Sequence, residues 1–133
     1  MKKVLFCLIL GAIAVVSTAD QAYAIKPFMD VFVVKYNVKE PSTDADKALA
    51  AAVAEVKCNL CHEGKSKKDR NAYGVAMDKL VDKKEITELL KADKDKGEKT
   101  IEEVFVKLEA EKSPSGETYG ELLKAGKLPV SAE

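Results

Sequence analysis

The hydrophobic pattern opens with a short basic start, Met1-Lys2-Lys3, followed by an unbroken apolar run from Val4 to Val16. Small residues at Ala22-Tyr23-Ala24 follow, at the positions a signal peptidase reads. The run is too short for a comfortable membrane span, so residues 1–24 are expected to be a cleaved secretory leader that takes Cys7 with it. The rest, 25–133, is expected to be one domain.

From there apolar positions recur at helical spacing. Pro27 to Val38 reads as a first helix with Phe28, Phe32 and Tyr36 on one face, although Val31-Phe32-Val33-Val34 is equally a strand pattern. Glu40-Pro41 breaks the chain, and Ser42-Thr43-Asp44 offers N-caps. A second helix over 44–57 carries Leu49, Val53 and Val56 and many alanines. Residues 63–69 form a polar loop. Asn71 to Val81 predicts a third helix with Tyr73, Ala76, Met77 and Leu80 on one face, and Gly74 leaves a gap for a close approach. Helical pattern continues over Lys84 to Lys91. Asp93 to Lys99 reads as a charged loop, and Thr100-Ile101-Glu102-Glu103 as a capping box opening a helix with Ile101, Val104, Phe105 and Leu108. Ser113-Pro114 restarts the chain before a last short helix around Tyr119, Leu122 and Leu123, stopped at Gly126. The expected fold is all-α, with four to six helices.

Composition changes this picture little. The whole chain has 22 basic and 22 acidic side chains. Losing Lys2, Lys3 and Asp20 with the leader keeps the mature chain close to neutral. Such a balance argues against nucleic acid or a membrane surface as partner.

The chemistry lies in Cys58-Asn59-Leu60-Cys61-His62, a C-x-x-C-H run. This is the attachment pattern for c-type haem. Two thiols this close can add to the two vinyl groups of one porphyrin, and the adjacent imidazole can bind the iron from the proximal side. A thioredoxin-like dithiol would need a βαβ context, which the pattern lacks. Structural zinc would need four ligands, and His62 is the only histidine. Both mature cysteines would be used by haem, leaving none for a disulfide. The porphyrin would then serve as staple and core filler for a small exported domain.

On the C-x-x-C-H run, the helix before it and the leader, the chain resembles small monohaem c-type cytochromes. The stretch Asp69-Arg70-Asn71-Ala72-Tyr73-Gly74 also resembles a segment that follows the haem site in some small bacterial cytochromes of planctomycete type. The resemblance implies one covalent haem c, with Cys58 and Cys61 as thioethers and His62 as the proximal iron ligand. It implies a periplasmic or otherwise exported electron carrier, not an enzyme, that meets a redox partner protein. The chain departs from the family pattern at the distal ligand. Where a downstream methionine often precedes proline, Leu128 precedes Pro129.

Met77 and Met29 are therefore the candidate distal ligands, beside an open or water-bound site or an unusual ligand such as lysine. An unfilled distal site, lined by Phe28, Phe32 and Met77, would suit a diatomic gas, nitric oxide or carbon monoxide. That is the alternative function. A small peroxidase would want a second, distal histidine, and none exists. Lys65, Lys67, Lys68 and Arg70 are placed to steer an acidic partner, to neutralise haem propionates, or simply to be solvated. Tyr73 is placed to donate to a propionate or to sit in the core with its tip wet.

Overall fold

The computed structural model describes residues 25–130; the expected leader, with Cys7, lies outside them. Six α-helices and no strand form among the described residues, so the fold is all-α. They are α1 (Ile25–Lys35), α2 (Asp44–Val56), α3 (Ala72–Leu80), α4 (Lys83–Ala92), α5 (Lys94–Glu109) and α6 (Tyr119–Lys124). None is long and apolar enough to cross a membrane.

The β-prone run 31–34 is helical because its neighbours make a helical face. Phe28, Phe32 and Tyr36 all pack their rings on Phe105 of α5, with centroids 5.7–6.4 Å apart. Three aromatic contacts on one stripe outweigh the local preference of branched residues. The helix ends three residues before Val38. Asn37 adopts a left-handed conformation (φ 53), and the Val38 N–H reaches back to the Val33 carbonyl at 3.0 Å. That is a Schellman ending with asparagine in the place usually taken by glycine.

Helix α2 starts at a capping box of Thr43 and Asp46, and buries Leu49 and Val53. The longest departure from expectation is the segment 94–99, which is helical. Asp93 caps α5, its side chain accepting from the Lys96 N–H at 3.1 Å. The inward position of this first turn is Gly97, which carries no apolar signal. A Cβ there would lie 2.7 Å from the Leu90 side chain and 3.0 Å from its Cα, so glycine lets α4 and α5 approach. Thr100 consequently lies inside α5, its hydroxyl bonded to the Lys96 carbonyl, and does not cap. The capping box that forms is Thr118 with Glu121, at the start of α6.

Helix α5 is the hub, packing against α1, α3, α4 and α6. The core around it consists of side chains: Ile101 and Leu108 are fully buried, joined by Phe32, Leu49, Tyr73, Phe105 and Tyr119. The C-x-x-C-H run lies at the margin of this core. Leu60 enters it, Cys61 packs against it, and Cys58 is exposed.

Candidate functional site

The run does not continue α2 as a helix. Lys57 takes φ 49, ψ −115, a conformation costly for any residue with a Cβ. The chain swings off the α2 axis there into a 3-10 turn over Lys57–Leu60. The two thiols and the imidazole therefore sit on a turn, and their placement depends on what holds that turn.

What holds it is the segment 69–74. The His62 and Arg70 backbones form an isolated antiparallel bridge. The Asp69 carbonyl accepts from the Glu63 N–H at 3.1 Å and faces His62 Nδ1 at 3.2 Å. A carbonyl can only accept, so Nδ1 must carry the hydrogen. The neutral ring then keeps its lone pair on Nε2, the nitrogen left for a metal. Asn71 caps α3 by accepting from the Gly74 N–H at 2.9 Å, and its amide nitrogen reaches back to carbonyls of the run. Gly74 packs directly on the Cys61 carbonyl, with no room for a Cβ between them. The gap expected at this glycine is thus filled by backbone.

The thiols differ. Cys58 is solvent-exposed, whereas Cys61 is half-buried. Burial, with a smaller contribution from the neighbouring Cys58, pushes the Cys61 thiol up to about 12. A redox dithiol or a zinc thiolate needs the opposite shift. A thioether carries no charge, so the burial that penalises a thiolate costs it nothing. The donor set fits haem c: two sulfurs that need not ionise and an imidazole with a defined free nitrogen. Among the described residues no three His, Cys, Asp or Glu side chains are gathered where they could hold a bare metal ion.

The other candidates scatter. Met77 is buried in the core at 8% exposure, and Met29 is half-buried against it. Phe32 is engaged with Tyr36 and Phe105. Leu128 is half-buried against the core. Lys65, Lys67 and Lys68 are exposed on the loop after His62. Arg70 does not belong with them. It is half-buried and pairs with Asp78 at 3.4 Å, and Asp78 also meets Lys83 at 2.6 Å. The Lys83 hydrogen bond, with the charges of Lys83 and Arg70, outweighs desolvation and holds the Asp78 carboxyl below its usual range. Tyr73 is in the core with a dry tip. Its ring meets Tyr119 edge-on at 4.9 Å, and its buried hydroxyl has no hydrogen-bond partner among the described residues.

Away from the run, a hollow of about 250 Å³ is lined by Lys35, Tyr36, Glu109 and Lys124 among others. Tyr36 donates to Glu109 at 2.8 Å and Lys35 pairs with Glu109 at 3.3 Å, so these three side chains satisfy one another.

Reasoning from ligand types does not single out Asp69 and Asn71, whose carbonyl and amide hold the run. In the sequence they stand out only as part of the stretch Asp69-Arg70-Asn71-Ala72-Tyr73-Gly74. No family model, curated protein or solved structure matches this chain.

Proposed function

We propose that this chain is an exported electron-transfer protein, a monohaem c-type cytochrome, with Cys58 and Cys61 as thioether sites and His62 as proximal ligand. The observation that carries the reading is the His62 ring. Its Nδ1–H is committed to the Asp69 carbonyl at 3.2 Å, which leaves Nε2 free beside two thiols spaced for one porphyrin. Cys58 and Cys61 would hold the haem as thioethers, each thiol adding sulfur to one vinyl carbon and hydrogen to the other. Bound there, haem supplies a one-electron ferrous–ferric couple. The protein's part is to hold the imidazole, to exclude water from Cys61 and to present the exposed Cys58 edge to a redox partner. Lys65, Lys67 and Lys68, exposed next to His62, favour an acidic partner surface. Met77 and Met29 are the candidate distal ligands.

A second reading is gas binding. Leu128 stands where a ligating methionine is expected, and Met77 is packed into the core. If neither methionine reaches the iron, the distal position is open to nitric oxide or carbon monoxide.

Absorption spectra of the exported protein, oxidised and reduced, with and without carbon monoxide, decide between these. A low-spin spectrum with the weak far-red band of sulfur-to-iron charge transfer, unmoved by the gas, is the expected outcome. A high-spin spectrum that shifts with the gas selects the second reading. Absence of any covalent haem spectrum overturns both.

A further inference from the structure

The carbonyls of four successive residues in the run accept hydrogen bonds from one residue, Asn71. Its backbone N–H donates to Cys61 at 3.2 Å. Its side-chain Nδ2 lies 2.9 Å from the Asn59 carbonyl, 3.1 Å from Leu60 and 3.4 Å from His62. The two hydrogens of the amide are thus shared among three acceptors. The orientation of the amide follows from its other end. Oδ1 faces the Gly74 N–H at 2.9 Å, and a backbone N–H can only donate.

Helix capping alone does not explain asparagine at this position. Serine and aspartate cap about as well. Neither offers donors that reach the run while an acceptor stays on Gly74. The 3-10 turn needs such donors. It begins at a strained residue, Lys57, and its last carbonyls have no helix to continue into.

We propose that Asn71 is a positioning residue for His62: it locks the turn so that the ring holds Nδ1–H on the Asp69 carbonyl and leaves Nε2 as the free nitrogen, before any cofactor is attached. The use of this arrangement in haem attachment rests on the cytochrome reading. The arrangement itself does not.

The test is Asn71→Ser in the full chain. Serine keeps the cap acceptor and is too short to reach the three carbonyls. The first readout is the pair of ring nitrogen resonances of His62 in the haem-free protein, by nitrogen NMR. The wild type is expected to show the Nδ1–H tautomer. The variant is expected to revert to the Nε2–H form that a free imidazole favours, with its thermal midpoint nearly unchanged. The second readout is covalent haem per chain after export, expected to fall about tenfold, as for other outer-shell partners. If serine disturbs the fold, Asn71→Asp keeps the acceptor at full reach and again removes the donors. A folded variant whose His62 stays in the Nδ1–H form overturns the proposal. Equal haem loading of wild type and variant overturns its role in attachment while leaving the cytochrome reading intact. A tautomer change in chains that never load haem supports the positioning role and removes the cytochrome reading instead.

Discussion

Gly74 shows how a single missing methyl ties the helix to the site. It occupies the first turn of α3, where alanine would favour the helix by about 1 kcal/mol. The Cβ of that alanine would collide with the Cys61 carbonyl oxygen and come within 2.9 Å of its carbon. Both atoms are backbone, so no rotamer change relieves the clash. Gly74→Ala is therefore expected to destabilise the protein by about 2 kcal/mol, the cost of forced overpacking, against the sign that helix propensity gives. Chemical denaturation of the haem-free chain measures it, and a stabilised variant would mean that α3 does not press on the run. The C-x-x-C-H residues are legible as candidates from their spacing alone. The carbonyls that hold them are not, since backbone acceptors have no sequence signature; only the donor Asn71 does. Tyr73 was half-legible: its place on the buried face follows from periodicity, while its dry hydroxyl depends on packing from Tyr119, a distant residue.

Among the elements, the α4–α5 junction separates what patterning can find from what it cannot. The apolar stripes place α1 to α4 within about three residues of their observed ends, whereas the start of α5 lies six residues before the expected Thr100. The pattern reads its first turn as loop because the only inward residue is glycine and the rest are charged. One residue makes the junction. The Asp93 N–H closes α4 on the Leu89 carbonyl at 2.7 Å, and its carboxylate opens α5 on the Lys96 N–H at 3.1 Å. Asp93→Ala removes the second bond and leaves the first. A loss of about 1 kcal/mol is expected in equilibrium unfolding, typical of a lost N-cap. Were 93–99 a loop after all, the substitution would fall within the small effects of surface changes. Two S/T-x-x-E patterns exist, at 100–103 and 118–121, and only the second caps. The difference is context: Thr100 is preceded by a turn already helical, Thr118 by the turn at 113–116.

At the scale of the molecule, the sequence reads as helices around one haem, and the described helices pack on one another around α5. Ile101, Val104, Phe105 and Leu108 form its stripe, and the helices around them bury Phe32, Leu49, Tyr73 and Leu123. Helical periodicity could not reveal this, because the apolar stripes of such a chain can close on one another or on a ring with the same spacing. The two arrangements differ in what happens when attachment is blocked. Cys58 is exposed, so serine there should change stability little, within about 0.5 kcal/mol. Cys61 is half-buried with a neutral thiol, so serine exchanges a small apolar group for a hydroxyl at a cost of about 1 kcal/mol. The double variant Cys58→Ser, Cys61→Ser is thus expected to unfold in one cooperative transition and, on the proposed cytochrome reading, to lack the mass of covalent haem. Its far-ultraviolet and near-ultraviolet dichroism should vanish together on heating. Retained helicity with lost tyrosine dichroism and bound hydrophobic dye would mark a molten state and show that the ring, not α5, completes the core. A cooperative transition means that the bundle folds without a covalent cofactor, so that Asn71 can act on His62 before any attachment.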